Sequence, residues 1–281
     1  MKQLILIFSY LTFSVFYAQT PQAPIGKKWV KVEELSDEFD GTTLDESKWQ
    51  KEPIGNDWMW DGRPPALFKA NNVVVENGKL NVTVGKLDTP VISNGKTFTY
   101  QGGIVRSIKP GHIGWYFEAK MKANETVMSS TFWLMTKYNC EKKLELDIQE
   151  CVGKTTDSTE VWGKEWDQIF HANAIHRKTS CHPESERVQA FSVPETKNHE
   201  RFYVYGAWWK SETEILFYLD GVYAYTLNPT VTWDVPAFIQ MAIETYDWNP
   251  VPEDGGLVSH GTKAQRTTQY EWVRTWKLSP I

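Results

Sequence analysis

Little in this sequence favours nucleic acid, nucleotide or zinc. Lysine and arginine form no basic stripe and the net charge is only −5, which argues against a nucleic-acid partner. No glycine-rich loop offers a phosphate cradle, and no His/Cys cluster offers a zinc site. Repeats, linkers and long helical periodicities are missing. Charged residues make up 23% of the chain, near the globular average, so disorder is not expected. Cysteine is scarce: Cys140, Cys151 and Cys181 allow at most one bridge and leave one thiol over. A Cys140–Cys181 pair is open to an exported chain, and Cys151 reads as a small buried hydrophobe.

The apolar run Leu4 to Phe16 is shorter than the ~20 residues a membrane span needs. With Lys2 before it and Tyr17-Ala18-Gln19 after it, the run reads as a secretory signal peptide, residues 1–18. Residues 19–281 are then one secreted domain, expected to be monomeric and without a membrane span.

What the chain has in excess is aromatic side chains: 14 Trp, 12 Tyr and 13 Phe. Tryptophan at that level packs a β core or lines a sugar-binding groove, because indole stacks on the C–H faces of sugar rings. Short alternating or apolar runs recur with turn signals between them, as in "GWYFEAKMKA", "SSTFWLM", "LELDIQECV", "FHANAIHR" and "FIQMAIET". Asn77-Gly78 and Asp220-Gly221 each separate two such runs and suit tight hairpin turns. Many short strands without helices predict an all-β sandwich or jelly roll. Two stretches, Lys51–Lys69 and Tyr246–Thr268, read as long structured loops walling a cleft.

The chemistry concentrates in "ELDIQE", Glu145 to Glu150. Glu145 and Asp147 share a face of a regular strand, whereas Glu150 falls on the other face. One extra residue bulged out at Ile148–Gln149 returns Glu150 to their side. Two long glutamate arms, on backbones roughly 13 Å apart at about 3.3 Å per residue, can then close on a sugar from both sides. That is the pair of carboxyls that glycosidic hydrolysis requires. Leu144, Leu146, Ile148 and Cys151 supply an apolar opposite face, so the strand is central. A solvated acidic strand edge is the competing reading.

"ELDIQE" resembles the E-x-D-x-x-E signature of glycoside hydrolase family 16. The resemblance extends over nearly the whole mature chain, through "LSDEFDGTTLDESKW", "NVVVENGKLNV" and the closing "YEWVRTWKL". It implies a concanavalin-like β-jelly-roll sandwich with a concave substrate cleft and a retaining mechanism. Glu145 is then the nucleophile, Asp147 its partner and Glu150 the acid/base. The family cuts laminarin, lichenan, agar, porphyran and κ-carrageenan, and the bulged signature sets the lichenase subgroup aside. "WMWDGRPP" and "ETYDWNPVPEDGG" resemble the β-agarases and β-porphyranases.

Because basic residues do not crowd one groove face of the sequence, agarose is the expected polymer, cut internally. A β-porphyranase is the alternative and a non-catalytic lectin a distant one. By the same resemblance and by strand parity, Trp133 is the platform beside the cut, and Asn56 and Trp58 build the non-reducing side. Trp60 shares the parity of Trp58. His171, Asn173 and Arg177 face sugar hydroxyls, and Arg177 is the one groove cation that could meet a sulfate. Glu244 is a sugar contact or a loop-fixing ion pair. Family members often hold a structural calcium, for which the matching positions are Glu38, the carbonyl of Gly78 and Glu271; none is needed for catalysis.

Overall fold

The structure, a computed structural model, describes residues 20–52, 58–137 and 139–281. The signal-peptide segment 1–18 and Asn56 lie outside the described residues. The alternating runs form two stacked sheets. The outer sheet follows the order Val222–Leu227, Glu214–Leu219, Tyr203–Ser211, Tyr116–Lys122, Thr267–Pro280, Leu80–Thr83, Val73–Val75, with Lys27–Lys31 also along Thr267–Pro280. The inner sheet runs Glu186–Ser192, Phe170–His176, Leu144–Val152, Ser129–Thr136, Ala237–Ile243, Lys96–Ser107, Ala66–Phe68, Gly62–Arg63. Neighbours pair antiparallel except Ala66–Phe68, which runs parallel to Lys96–Ser107. Among the described residues the only α-helix is Gly256–His260, and no helix is long and apolar enough to cross a membrane.

The two expected loops are only partly irregular. The first folds into the short strands Gly62–Arg63 and Ala66–Phe68, and the second carries the Gly256–His260 helix. Asn77 and Asp220 both adopt positive φ, as the hairpin reading requires. Cys140 and Cys181 form a disulfide, and Cys151 is a buried free thiol.

One face of each sheet enters a shared core. Phe132, Leu134, Leu144, Leu146, Ile148 and Cys151 meet Phe117, Ala119, Tyr203, Tyr205 and Phe217 there, all fully buried. Each such large apolar side chain contributes on the order of 1.5–3 kcal/mol. Because alternate residues of a strand point oppositely, burying Leu144, Leu146 and Ile148 drives Glu145 and Asp147 to the other face of the inner sheet.

The strand is interrupted where the sequence predicts it. Phe132 pairs with Gln149 and the next residue, Trp133, pairs with Asp147, so Ile148 is the extra residue of a β-bulge. The bulge also breaks the ladder on the other side, where register with Phe170–His176 ends at Asp147–Asn173. The fully buried Gln149 side chain fills that gap. Its amide donates to the Ile169 carbonyl at 2.9 Å and accepts from the His171 N–H at 3.1 Å. A side-chain amide thus stands in for the backbone bonds that the bulge removes.

Gln149→Leu keeps the size and removes the acceptor of the His171 N–H, while the Ile169 carbonyl keeps the Asn198 amide at 2.9 Å. At ~1–3 kcal/mol for an unsatisfied buried group, urea unfolding should show a loss of about 1–3 kcal/mol. A loss below about 0.5 kcal/mol would mean that the amide bridge is dispensable.

Candidate active site

The outward face of the inner sheet lines a cavity of about 590 Å³. Trp58, Met59, Trp60, Arg63, Pro64 and Lys96 border one end, and Arg177 and Lys143 stand at the other. Across its floor lie Glu145, Asp147 and Glu150, with Thr131, Trp133 and Met135 from the adjacent strand and Gln240 and Glu244 from the next. The bulge has therefore placed all three acids of "ELDIQE" on one surface.

Each acid has its own partners. Glu145 is gripped by the Arg177 guanidinium, with Nε at 2.8 Å from Oε2 and the second nitrogen on Oε1. Glu150 accepts from the Tyr246 hydroxyl at 2.7 Å and from the Asn173 amide at 2.9 Å, and His171 Nδ1 stands 3.4 Å away. The same Asn173 nitrogen donates to Asp147 at 3.0 Å, so Asp147 and Glu150 lie on either side of one amide.

Burial, followed by the charges of Glu150 and Glu145, pushes the Asp147 carboxyl well above its ordinary range. For Glu150 burial acts upward, but the neighbouring His171, the Tyr246 hydrogen bond and the Arg63 charge outweigh it and hold the carboxyl below its usual value.

Trp133 fills the centre of the floor beside Asp147 and packs edge-on to Trp60 at 6.0 Å, which in turn packs edge-on to Phe68 at 4.8 Å. The Trp58 Nε1 is buried without a protein partner, as are Gln240 Oε1 and Asn173 Oδ1. Buried polar atoms that stay unpaired inside a cleft are suited to ligand hydroxyls. Glu244 is an ion-pair residue: it accepts from Arg63 Nε at 2.6 Å, and burial lifts its pKa to about 7 against the pull of that guanidinium. Thr245 completes the clamp by donating to the Arg63 carbonyl at 2.7 Å.

Three residues act differently from the expectation of free sugar contacts. His171 and Asn173 position Glu150 and Asp147, and Arg177 orients Glu145. Parity placed them on the right face; only the fold shows that the acids engage the Asn173 amide nitrogen and the Arg177 guanidinium, with His171 Nδ1 beside Glu150. The structure also brings Arg63, Lys96, Lys143 and Arg177 to one cleft, contrary to the expectation that cations would not gather there. They come from four separate segments, so linear charge patterning could not reveal the cluster. Tyr246, Gln240 and Arg63 escaped the sequence reading; Tyr246 was legible only as the first residue of a loop.

The calcium positions are otherwise engaged. Glu38 accepts two bonds of 2.9 Å from Arg274, and Glu271 pairs with Lys120 at 2.5 Å. Gly78 is a positive-φ turn residue. With both carboxylates neutralised by cations, these side chains do not fit a calcium site as they stand.

Two glutamates flanking an aromatic platform, with an aspartate between them, define a glycoside hydrolase. Residues 29–278 match the family model described as the glycoside hydrolase family 16 domain of β-porphyranases A to D, and the chain belongs to that family. It is 41% identical to β-porphyranase B of Zobellia galactanivorans, over 99% of this chain and 97% of that one. The crystal structure of porphyranase B from that organism superposes with a TM-score of 0.85, covering 94% of this chain and 98% of that one. A β-porphyranase of the human gut bacterium Bacteroides plebeius superposes at 0.76 with 34% identity, covering 93% and 96%. The likeness to β-agarase A in complex with oligoagarose, at 21% identity over 90% of this chain and 94% of that one and a TM-score of 0.72, is one of fold.

Because Arg177 holds Glu145, Arg177→Ala should slow cleavage of sulfated and unsulfated galactans alike. The expected loss is about 100-fold, the scale of misplacing a reacting group. Initial rates on the two polymers check this. A loss confined to the sulfated one would make Arg177 a sulfate contact.

Proposed function

We propose that this chain is a secreted, endo-acting, retaining β-galactan hydrolase whose substrate is sulfated agar, a β-porphyranase. The observation that carries this reading is the 41% identity to a β-porphyranase over 99% of this chain. The cleft itself sets Arg63, Lys96, Lys143 and Arg177 against Glu145, Asp147, Glu150 and Glu244 over an aromatic floor, so a sulfate entering it meets cations as well as acids. The names of the relatives support the same choice. The agarose preference expected from sequence is accordingly set aside, and a lectin would have no use for the carboxylate arrangement.

In this reading Glu145 attacks the anomeric carbon while Glu150 protonates the departing oxygen. Arg177 keeps the Glu145 carboxylate oriented. Asp147, carrying a proton, donates toward a carboxylate neighbour and relieves the repulsion among three acids. Sugar entering over Glu150 strips water from it and raises its affinity for the proton it must deliver. In the second half-reaction the deprotonated Glu150 activates water. Export by the N-terminal segment brings the enzyme to a polymer too large to enter a cell.

Initial rates on native porphyran and on agarose test the substrate. Porphyran should turn over faster and yield sulfated oligosaccharides with new reducing ends. Faster turnover of agarose would restore the agarase reading, and no reducing ends from either would leave a lectin.

A second expectation concerns Glu150. Tyr246→Phe removes one hydrogen bond to the charged form, worth ~1.5–3 kcal/mol, so the Glu150 pKa rises by about one to two units. As Glu150 acts protonated, the basic limb of the kcat/KM profile should move to higher pH by that amount. An unmoved limb would assign that ionisation to another group.

A further inference from the structure

The cavity ends near the catalytic strand, but the inner sheet continues for two more strands, Phe170–His176 and the edge strand Glu186–Ser192. Residues paired across antiparallel strands share a face, so rows can be followed outward from the acids. Glu145 pairs with Ile175 and Ile175 with Arg187; Asp147 pairs with Asn173 and Asn173 with Gln189; His171 pairs with Phe191. On the edge strand, Val188 and Ala190 pack against the core, whereas Arg187, Gln189 and Phe191 are exposed. Phe191 is 63% exposed, unusual for so large an apolar side chain on an otherwise ordered strand.

The cut sits over the catalytic strand. The cavity, with Trp133 and Trp58, occupies the sheet to one side of that strand. A polymer lying across the strands leaves over the other side, above the buried His171, Asn173 and Ile175, where the Trp166 ring packs on His171 at 4.4 Å. We infer that the edge strand Glu186–Ser192 is a binding site for the leaving-group half of the polymer, with Phe191 stacking on a sugar face and Arg187 meeting a sulfate. Two strand spacings of ~4.8 Å place it about 10 Å beyond the catalytic strand, so it meets the second sugar after the cut rather than the first. Gln189, between them, bonds hydroxyls. The occupant is the same chain that fills the cavity, because the rows run without interruption from the acids to the edge. Arg187 carries the charge that suits a sulfated galactan. This rests on the porphyranase reading for the sulfate and on the family alone for the sugar.

The test compares each variant with its parent on two substrates: native porphyran, and an aryl glycoside of a porphyran oligosaccharide, whose single-ring leaving group is too short to reach the edge strand. Phe191→Ala should lower kcat/KM on porphyran by about tenfold, the scale of one good contact, and leave aryl-glycoside hydrolysis within about twofold. Equal losses on both substrates, or none on porphyran, would overturn the site. Arg187→Gln should lower the rate on native porphyran by a similar factor and leave the rate on enzymatically desulfated porphyran unchanged. A loss that is the same on both polymers would remove the sulfate from the proposal. The parent enzyme's preference between porphyran and agarose decides the substrate reading separately. If agarose is preferred, the Phe191→Ala comparison on agarose still decides whether the edge strand binds sugar.

Discussion

The site depends on one backbone irregularity. A regular strand would send Glu150 into the apolar core opposite Glu145, where an unpaired carboxylate costs several kcal/mol or gives up its charge. The bulge at Ile148 lets a single strand bury Leu144, Leu146, Ile148 and Cys151 on one side and present three acids on the other. Its cost is a ladder broken on the side of the Phe170–His176 strand. The Gln149 amide repairs that break by bonding the Ile169 carbonyl and the His171 N–H. The repair fixes the start of the strand that supplies His171 and Asn173, so the residue closing the bulge also helps position the groups that hold Glu150.

Around this strand the charges are arranged as nested pairs. Arg177 compensates Glu145, Arg63 compensates Glu244, and Tyr246, Asn173 and His171 surround Glu150. Asp147 has a shared amide and no cation within hydrogen-bonding distance, and it is the acid whose carboxyl is driven up by burial and by its neighbours. Asp147 differs from Glu145 and Glu150 in accepting, among the described residues, only that shared amide. The Arg63–Glu244 pair extends the arrangement to the wall of the cleft, since the Arg63 guanidinium also lies 5.4 Å from the Tyr246 ring centre. That wall is therefore in electrostatic contact with the group that holds Glu150.

The sequence by itself determined the face on which the acids lie. Period-two alternation around Leu144, Leu146 and Ile148 is a local property, and so is the i, i+2, i+5 spacing that forces a bulge. The positive-φ turns at Asn77 and Asp220 were legible for the same reason, because turn chemistry acts over a few residues. Trp133 could be placed beside the acids because the strand that carries it lies just ahead of them.

Only the tertiary structure decided who touches whom. Arg177 and Glu145 are bonded although Arg177 lies just past the end of the strand Phe170–His176 and Glu145 on the next strand, and nothing in "HRK" distinguishes a groove cation from one that orients a carboxylate. Tyr246 reaches Glu150 from a distant loop. Arg63, Lys96, Lys143 and Arg177 look scattered along the chain and converge only when the sheet order sets their segments side by side. Charge acts through space and falls off with distance in three dimensions. Linear spacing therefore reveals which residue types are available, while the fold alone sets the distances that turn them into ion pairs within one cleft.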